Sequence, residues 1–225
     1  MKFLSGALLT VTLLATPIFA QKDVDDRLAA ATEDLRAMLN ASDKGIPQDL
    51  LNRASCVVVI PNLKKGGFIV GAEYGKGFFT CRKSGGVGWS APGAVRISGG
   101  KFGLLIGGAE TDVVMLVMSH SGMEHMLSDK FTLGGEASAA AGPLGRNASA
   151  MTDAELHAEI LTYSRQRGLF GGLDLSGSAI TQDHDANRQL YGHDISNKEL
   201  VSSDVRTPPA AHQFIHELDR ISSRK

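Results

Sequence analysis

The chain has 225 residues, 43% of them hydrophobic and 21% charged, with a formal net charge of −1. A domain of this size buries a sizeable core, and near neutrality means that any strong field must come from local segregation of charge. Twenty-six glycines beside nine Phe, three Tyr and one Trp imply many tight turns around a core of Val, Leu, Ile and Ala.

Lys2 followed by the uncharged run Phe3–Ala20 has the layout of a secretory signal peptide, with Ala20 at the cut. Residues 1–20 are therefore expected to be removed, leaving residues 21–225 as one domain, periplasmic or secreted. No later segment is apolar enough to span a bilayer.

Val24, Leu28, Ala31, Leu35 and Met38 recur at helical spacing, which predicts an amphipathic helix over Asp23–Asn40. Its polar face carries Asp23, Asp25, Asp26, Glu33 and Asp34, an acidic surface that anionic lipid repels. Pro47 suits the first position of a short helix, Pro47–Ala54. Cys56–Pro61 is a β-branched run and reads as a strand. Short strands are predicted at Phe68–Ala72, Gly77–Arg82, Ala94–Ile97, Leu104–Ile106 and Val113–Met118, separated by glycine-rich turns in the manner of an antiparallel meander.

Further on, Met123–Leu127 reads as a short helix, Gly134–Gly142 has no legible periodicity, and Arg165–Gly168 turns a β-hairpin. Asp183–Tyr191 reads as a helix with an acidic first turn, and Ala210–Ile221 as a last amphipathic helix. With no internal repeat and no linker, the expected class is α+β. It is a single domain, an antiparallel meander or partly closed barrel of short glycine-rich strands, packed with N- and C-terminal helices.

Charge is concentrated between Pro61 and Lys101. Lys64, Lys65, Lys76, Arg82, Lys83, Arg96 and Lys101 stand there against Glu73 alone, a local charge of +6. Clustered cations point to phosphates or an anionic membrane as partner; the competing reading is a solvated face that protects a strand edge from aggregation.

Other chemistry is weaker. Gly71–Gly77 resembles a phosphate loop but lacks the following Lys-Ser or Lys-Thr and helix. His212 and His216 lie one helical turn apart beside Glu217, with no further metal-ligand pair suggested. His120, Glu124 and His125 have no nucleophile motif nearby. The sequons at Asn40 and Asn147 matter only if the host glycosylates exported proteins. Trp89, with Pro92 and Phe102, reads as a packing anchor or groove wall.

Two cysteines, Cys56 and Cys81, in an oxidising compartment favour one disulfide over two buried thiols. The bridge would tie the start of the first strand to the end of the third, at the usual Cα separation of about 5.5 Å.

Gly45-Ile-Pro47, Val58–Pro61, Lys65–Gly71, Tyr74–Gly77, Trp89–Pro92, Phe131–Gly134, Gly142–Arg146, Tyr163–Gly172 and Tyr191-Gly192 follow one another over residues 45–192. In this order they resemble the SYLF domain family, which includes the actin-binding domain of yeast endocytic adaptors. The resemblance implies binding of phosphoinositide or other anionic phospholipid, and in eukaryotic members actin-filament binding and membrane remodelling.

The combined expectation is a non-enzymatic domain that binds anionic phospholipid or phosphoinositide-like head groups at an envelope membrane. Lys64, Lys65, Lys76, Arg82 and Lys83 are the expected contacts, with no cofactor, no metal and no nucleic acid. The rival expectation is a structural or adhesion protein that binds an envelope or host protein. A hydrolase is the weakest reading.

Overall fold

The computed structural model describes residues 17–41, 45–68, 70–83, 85, 87–102, 107–144, 155, 157–166 and 168–222. Residues 1–16 of the expected signal peptide, the expected strand Leu104–Ile106 and the Asn147 sequon lie outside them.

Helix α1, Pro17–Asn40, starts ahead of the expected Asp23 and runs through Ala20. Its five periodic apolar residues, Val24, Leu28, Ala31, Leu35 and Met38, are all buried, so the 3.6-residue period does face a core. After α2, Gln48–Arg53, come four long strands: β1 Cys56–Phe68, β2 Val70–Cys81, β3 Gly93–Phe102 and β4 Gly107–Val117. Then follow α3 His120–Met126, β5 Lys130–Thr132, β6 Ala139–Ala141, β7 Ile160–Gln166, β8 Leu169–Gly172 and β9 Ala179–Gln182. The chain closes with α4 His184–Tyr191, α5 Asn197–Ser202 and α6 His212–Ser222.

The α+β class stands, as a curled half-barrel sheet with helices from both ends of the chain, but two details of the expected meander are corrected. Phe68 ends β1, and the rest of the expected strands Phe68–Ala72 and Gly77–Arg82 falls on one strand, β2, up to Cys81, because its glycines lie within the ladder with β1 and β3 instead of turning the chain. The spatial order is β5-β9-β3-β2-β1-β4-β7-β6, with β8 on β7. Strands β1–β4 thus lie in the 4-1-2-3 order of a Greek key, and β6 pairs with β7 in parallel.

Both faces of the sheet are covered. Val57, Val59, Phe78, Val114, Leu116 and Tyr163 pack under α1, α4 and α6. Cys56, Val58, Ile60, Phe79, Val113 and Met115 pack on the other side with Met126, Phe131 and Ile180. That is why β1 and β4 read as continuous apolar runs instead of alternating ones. Burying a side chain of this size contributes roughly 1.5–3 kcal/mol. Glu217 of α6, 4% exposed, accepts from Arg220 and faces Arg36 of α1 at 3.6 Å, pinning the two terminal helices together.

Cys56 and Cys81 are register partners on adjacent strands and form a disulfide with S–S 2.06 Å and Cα–Cα 3.9 Å. The merging of the second and third expected strands corrects the expected path: the bridge joins the start of β1 to the end of β2, with no strand between them.

Candidate functional site

Strand β1 does not end at Pro61. Two residues, Pro61 and Asn62, bulge out between Ile60, opposite Val113, and Leu63, opposite Thr111. Asn62 takes φ +51°, a left-handed conformation that Asn tolerates better than most residues, and its N–H donates to Asp112 Oδ1 at 3.1 Å. The bulge resets the alternation, so Ile60 and Leu63 both enter the same core, while Lys64 and Lys65 follow directly in the ladders, between Tyr74 and Glu73 of β2 and Glu110 and Ala109 of β4.

Asp112 sits opposite the bulge and beside Arg165 on β7. Arg165 Nε and Nη2 donate to Asp112 Oδ2 at 3.1 and 2.8 Å, and Nη2 also donates to Asp34 of α1. Asp34 is 6% exposed. Burial, with the Asp112 charge adding to it, pushes its carboxyl up to about 7 despite the guanidinium.

Two open clefts flank the bulge and share Asn62 and Lys64. One, of 480 Å³, runs between α1 (Asp23, Asp26, Arg27) and the β1–β2 ladder (Lys64, Tyr74, Lys76). The other, of 620 Å³, is lined by Lys65, Glu110, Asp112 and Arg165 among others.

The five expected contacts do not form one patch. Lys64 is 71% exposed, its ammonium 3.9 Å from Glu110. Lys65, 17% exposed, lies 3.2 Å from the buried Glu73, and Lys76 lies 3.2 Å from the buried Asp183. These three gather around the bulge. Arg82 and Lys83 stand at the other end of β2. Lys83 pairs with Asp204 at 3.2 Å.

Arg82 is buried beside the C-terminal end of α2. It donates to the carbonyls of Ala54 at 3.1 Å, Ser222 at 2.7 Å and Leu51 at 3.3 Å, and its guanidinium lies 4.2 Å over the ring of Trp89. This arrangement corrects its expected role as an exposed head-group contact: its donors are committed to carbonyls of α2, of the residue after it and of α6, because the last turn of a helix leaves acceptors unfilled. Trp89, 2% exposed, is the packing anchor that the sequence predicted.

The sequence's local +6 is largely compensated by acids that the sequence places elsewhere: Glu110, Asp183 and Asp204. Sequence reasoning missed Asp34, Asp112 and Arg165, which lie far apart in the chain; the Arg165 of the Tyr163–Gly172 motif was the available signal. Among the described residues no group of three or more His, Cys, Asp and Glu could hold a metal, and no helix is long and apolar enough to cross a membrane.

A family described as "Las17-binding protein actin regulator", Ysc84, matches residues 98–221. The chain is 35% identical over 181 residues to LAS seventeen-binding protein 3 of Saccharomyces cerevisiae, covering 79% of this chain and 39% of the relative. It is 40% identical over 189 residues to an SH3 domain-containing protein of Schizosaccharomyces pombe, covering 83% and 43%. It is 32% identical over 186 residues to SH3 domain-containing YSC84-like protein 1 of Bos taurus, covering 82% and 54%. The chain thus spans about two fifths to one half of the length of these relatives, whose names are not those of enzymes. With the family match extending over more than half of its residues, the chain belongs to the Ysc84 family, the SYLF domain family.

Proposed function

We propose that this chain is a non-enzymatic binding domain of the cell envelope that attaches peripherally to anionic phospholipid head groups through Lys64, Lys65 and Lys76. The observation that carries the reading is the gathering of these cations around the Pro61–Asn62 bulge, with Lys64 largely exposed on the rim of both clefts. A lysine near an anionic surface contributes about 1 kcal/mol, so three give salt-sensitive attachment without insertion. Their partners Glu73 and Asp183 hold Lys65 and Lys76 in place, which lowers the entropy lost on meeting phosphate. Vesicle sedimentation tests it: pelleting with anionic and not with neutral vesicles is expected, and equal pelleting with both would overturn it.

A second reading is attachment to a protein. It is favoured by the name of the yeast relative, a LAS seventeen-binding protein, and by the acids that neutralise much of the basic stretch. Capture of a protein partner by the chain in the absence of lipid, with no vesicle binding, would establish it instead.

A further inference from the structure

The cleft between α1 and the β1–β2 ladder carries both signs of charge on facing walls. On β2, a Cβ built at Gly75 would meet Ile60 Cγ2 at 2.7 Å and Leu63 Cδ1 at 2.9 Å, so position 75 faces the core away from α1. Its neighbours Tyr74 and Lys76 therefore project to the α1 side, together with Lys64, the register partner of Tyr74. On the opposite wall Asp23, Asp26, Arg27 and Ala30 follow the i, i+3, i+4, i+7 spacing of one helix face. Lys76 is steadied by Asp183, itself 1% exposed, while Arg27 is bonded to Asp23. Tyr74 stands 48% exposed in the same cleft.

A ligand that is only anionic meets two carboxylates here, and one that is only cationic meets two ammonium groups and the Arg27 guanidinium. Each suffers like-charge repulsion from one wall. A dipolar ligand satisfies both. We infer that this cleft takes a zwitterionic head group, a primary ammonium joined to a phosphodiester, with the ammonium on Asp23 and Asp26 and the phosphate on Lys64 and Lys76.

The inference rests on the phospholipid reading above and narrows it to an amine-bearing lipid. A primary ammonium brings three N–H donors to the carboxylates, whereas a trimethylated one brings none. The exposed face of Tyr74 offers the cation a further contact. The cleft's 480 Å³ lies within the range of small-ligand sites.

The test is co-sedimentation of the full chain with two sets of vesicles of equal net charge. Both contain the same mole fraction of phosphatidylglycerol, in a background of phosphatidylcholine or of phosphatidylethanolamine. The chain should bind the ethanolamine vesicles about tenfold more tightly, the worth of one charge-assisted contact. Soluble phosphoethanolamine should compete, and inorganic phosphate at the same concentration should not. Asp23→Asn/Asp26→Asn, at exposed positions whose retained fold is checked by thermal melting, should erase the preference while keeping attachment to the choline-background vesicles.

Equal binding of the two vesicle sets, an undiminished preference in the double variant, or equal competition by inorganic phosphate would each overturn this inference and leave anionic attachment standing. Pelleting no greater than with pure phosphatidylcholine, in either background, would overturn the phospholipid reading itself.

Discussion

Arg165 holds Asp112 by two hydrogen bonds, 3.1 Å from Nε and 2.8 Å from Nη2, and with the same Nη2 reaches Asp34 on α1. One guanidinium therefore joins β7, β4 and the N-terminal helix at the edge of the bulge. Two carboxylates sharing one half-buried cation cannot both ionise freely.

Stability should depend on pH through Asp34. Its folded pKa, about 7, lies above the ordinary value of 3.8, so between those values the folded chain keeps a proton that the unfolded chain releases. The stabilisation is fully present below about pH 4 and is lost as pH rises through about 7, at up to about 1.4 kcal/mol per unit for one proton. Urea unfolding at about pH 5 and about pH 8 should show this loss in the wild type, and Asp34→Asn should flatten it. An unchanged slope in the variant would refute the assignment.

Arg82→Ala should lower stability by about 3 kcal/mol or more, because the Ala54 and Ser222 carbonyls lose buried donors. Arg82→Lys should recover little of it, since a point charge cannot serve several carbonyls and the Trp89 face together. Denaturant midpoints measure both. A stable Arg82→Ala that failed only in vesicle binding would return Arg82 to the surface role that the sequence suggested.

Much of the fold was legible because local pattern and tertiary burial agree. The α1 stripe, the Cys56–Pro61 strand, the hairpin across Arg165–Gly168 and the Asp183–Tyr191 helix with its acidic first turn each carry their own short-range signal. What was not legible depends on partners distant in the chain. Glycines inside β2 look like turns until the neighbouring strands are placed: a Cβ at Gly77 would lie 2.0 Å from Val59 O, so glycine there answers a close backbone approach. Arg82 and Lys83 are consecutive cations in sequence, yet one is buried under helix ends and the other faces Asp204. Asp112 shows nothing in sequence of the bulge and the arginine that it serves.

Gly77→Ala should accordingly destabilise by about 1–3 kcal/mol, read as a fall in melting temperature, with the β1 backbone at Val59 and Ile60 forced to move. An unchanged melting temperature would show that the strands can separate there without cost.

The Cys56–Cys81 bridge, at a sequence separation of 25, should contribute about 3 kcal/mol in the chain-entropy account. Cys56→Ala/Cys81→Ala should lose about that much by urea unfolding, and the unfolded, unreduced wild-type chain should titrate no thiol. Two titratable thiols in protein isolated without reductant would contradict the bridge.

Sedimentation with anionic and neutral vesicles, comparing wild type, Lys64→Glu/Lys65→Glu and Lys83→Glu, tests the membrane reading most directly. At about 1 kcal/mol per lysine, the double reversal should weaken attachment at least about 30-fold. Lys83→Glu, at the far end of β2, should bind as the wild type does, and added salt should release the wild type from anionic vesicles. Wild-type pelleting that is equal on neutral and anionic vesicles, or unchanged by the double reversal, would contradict it.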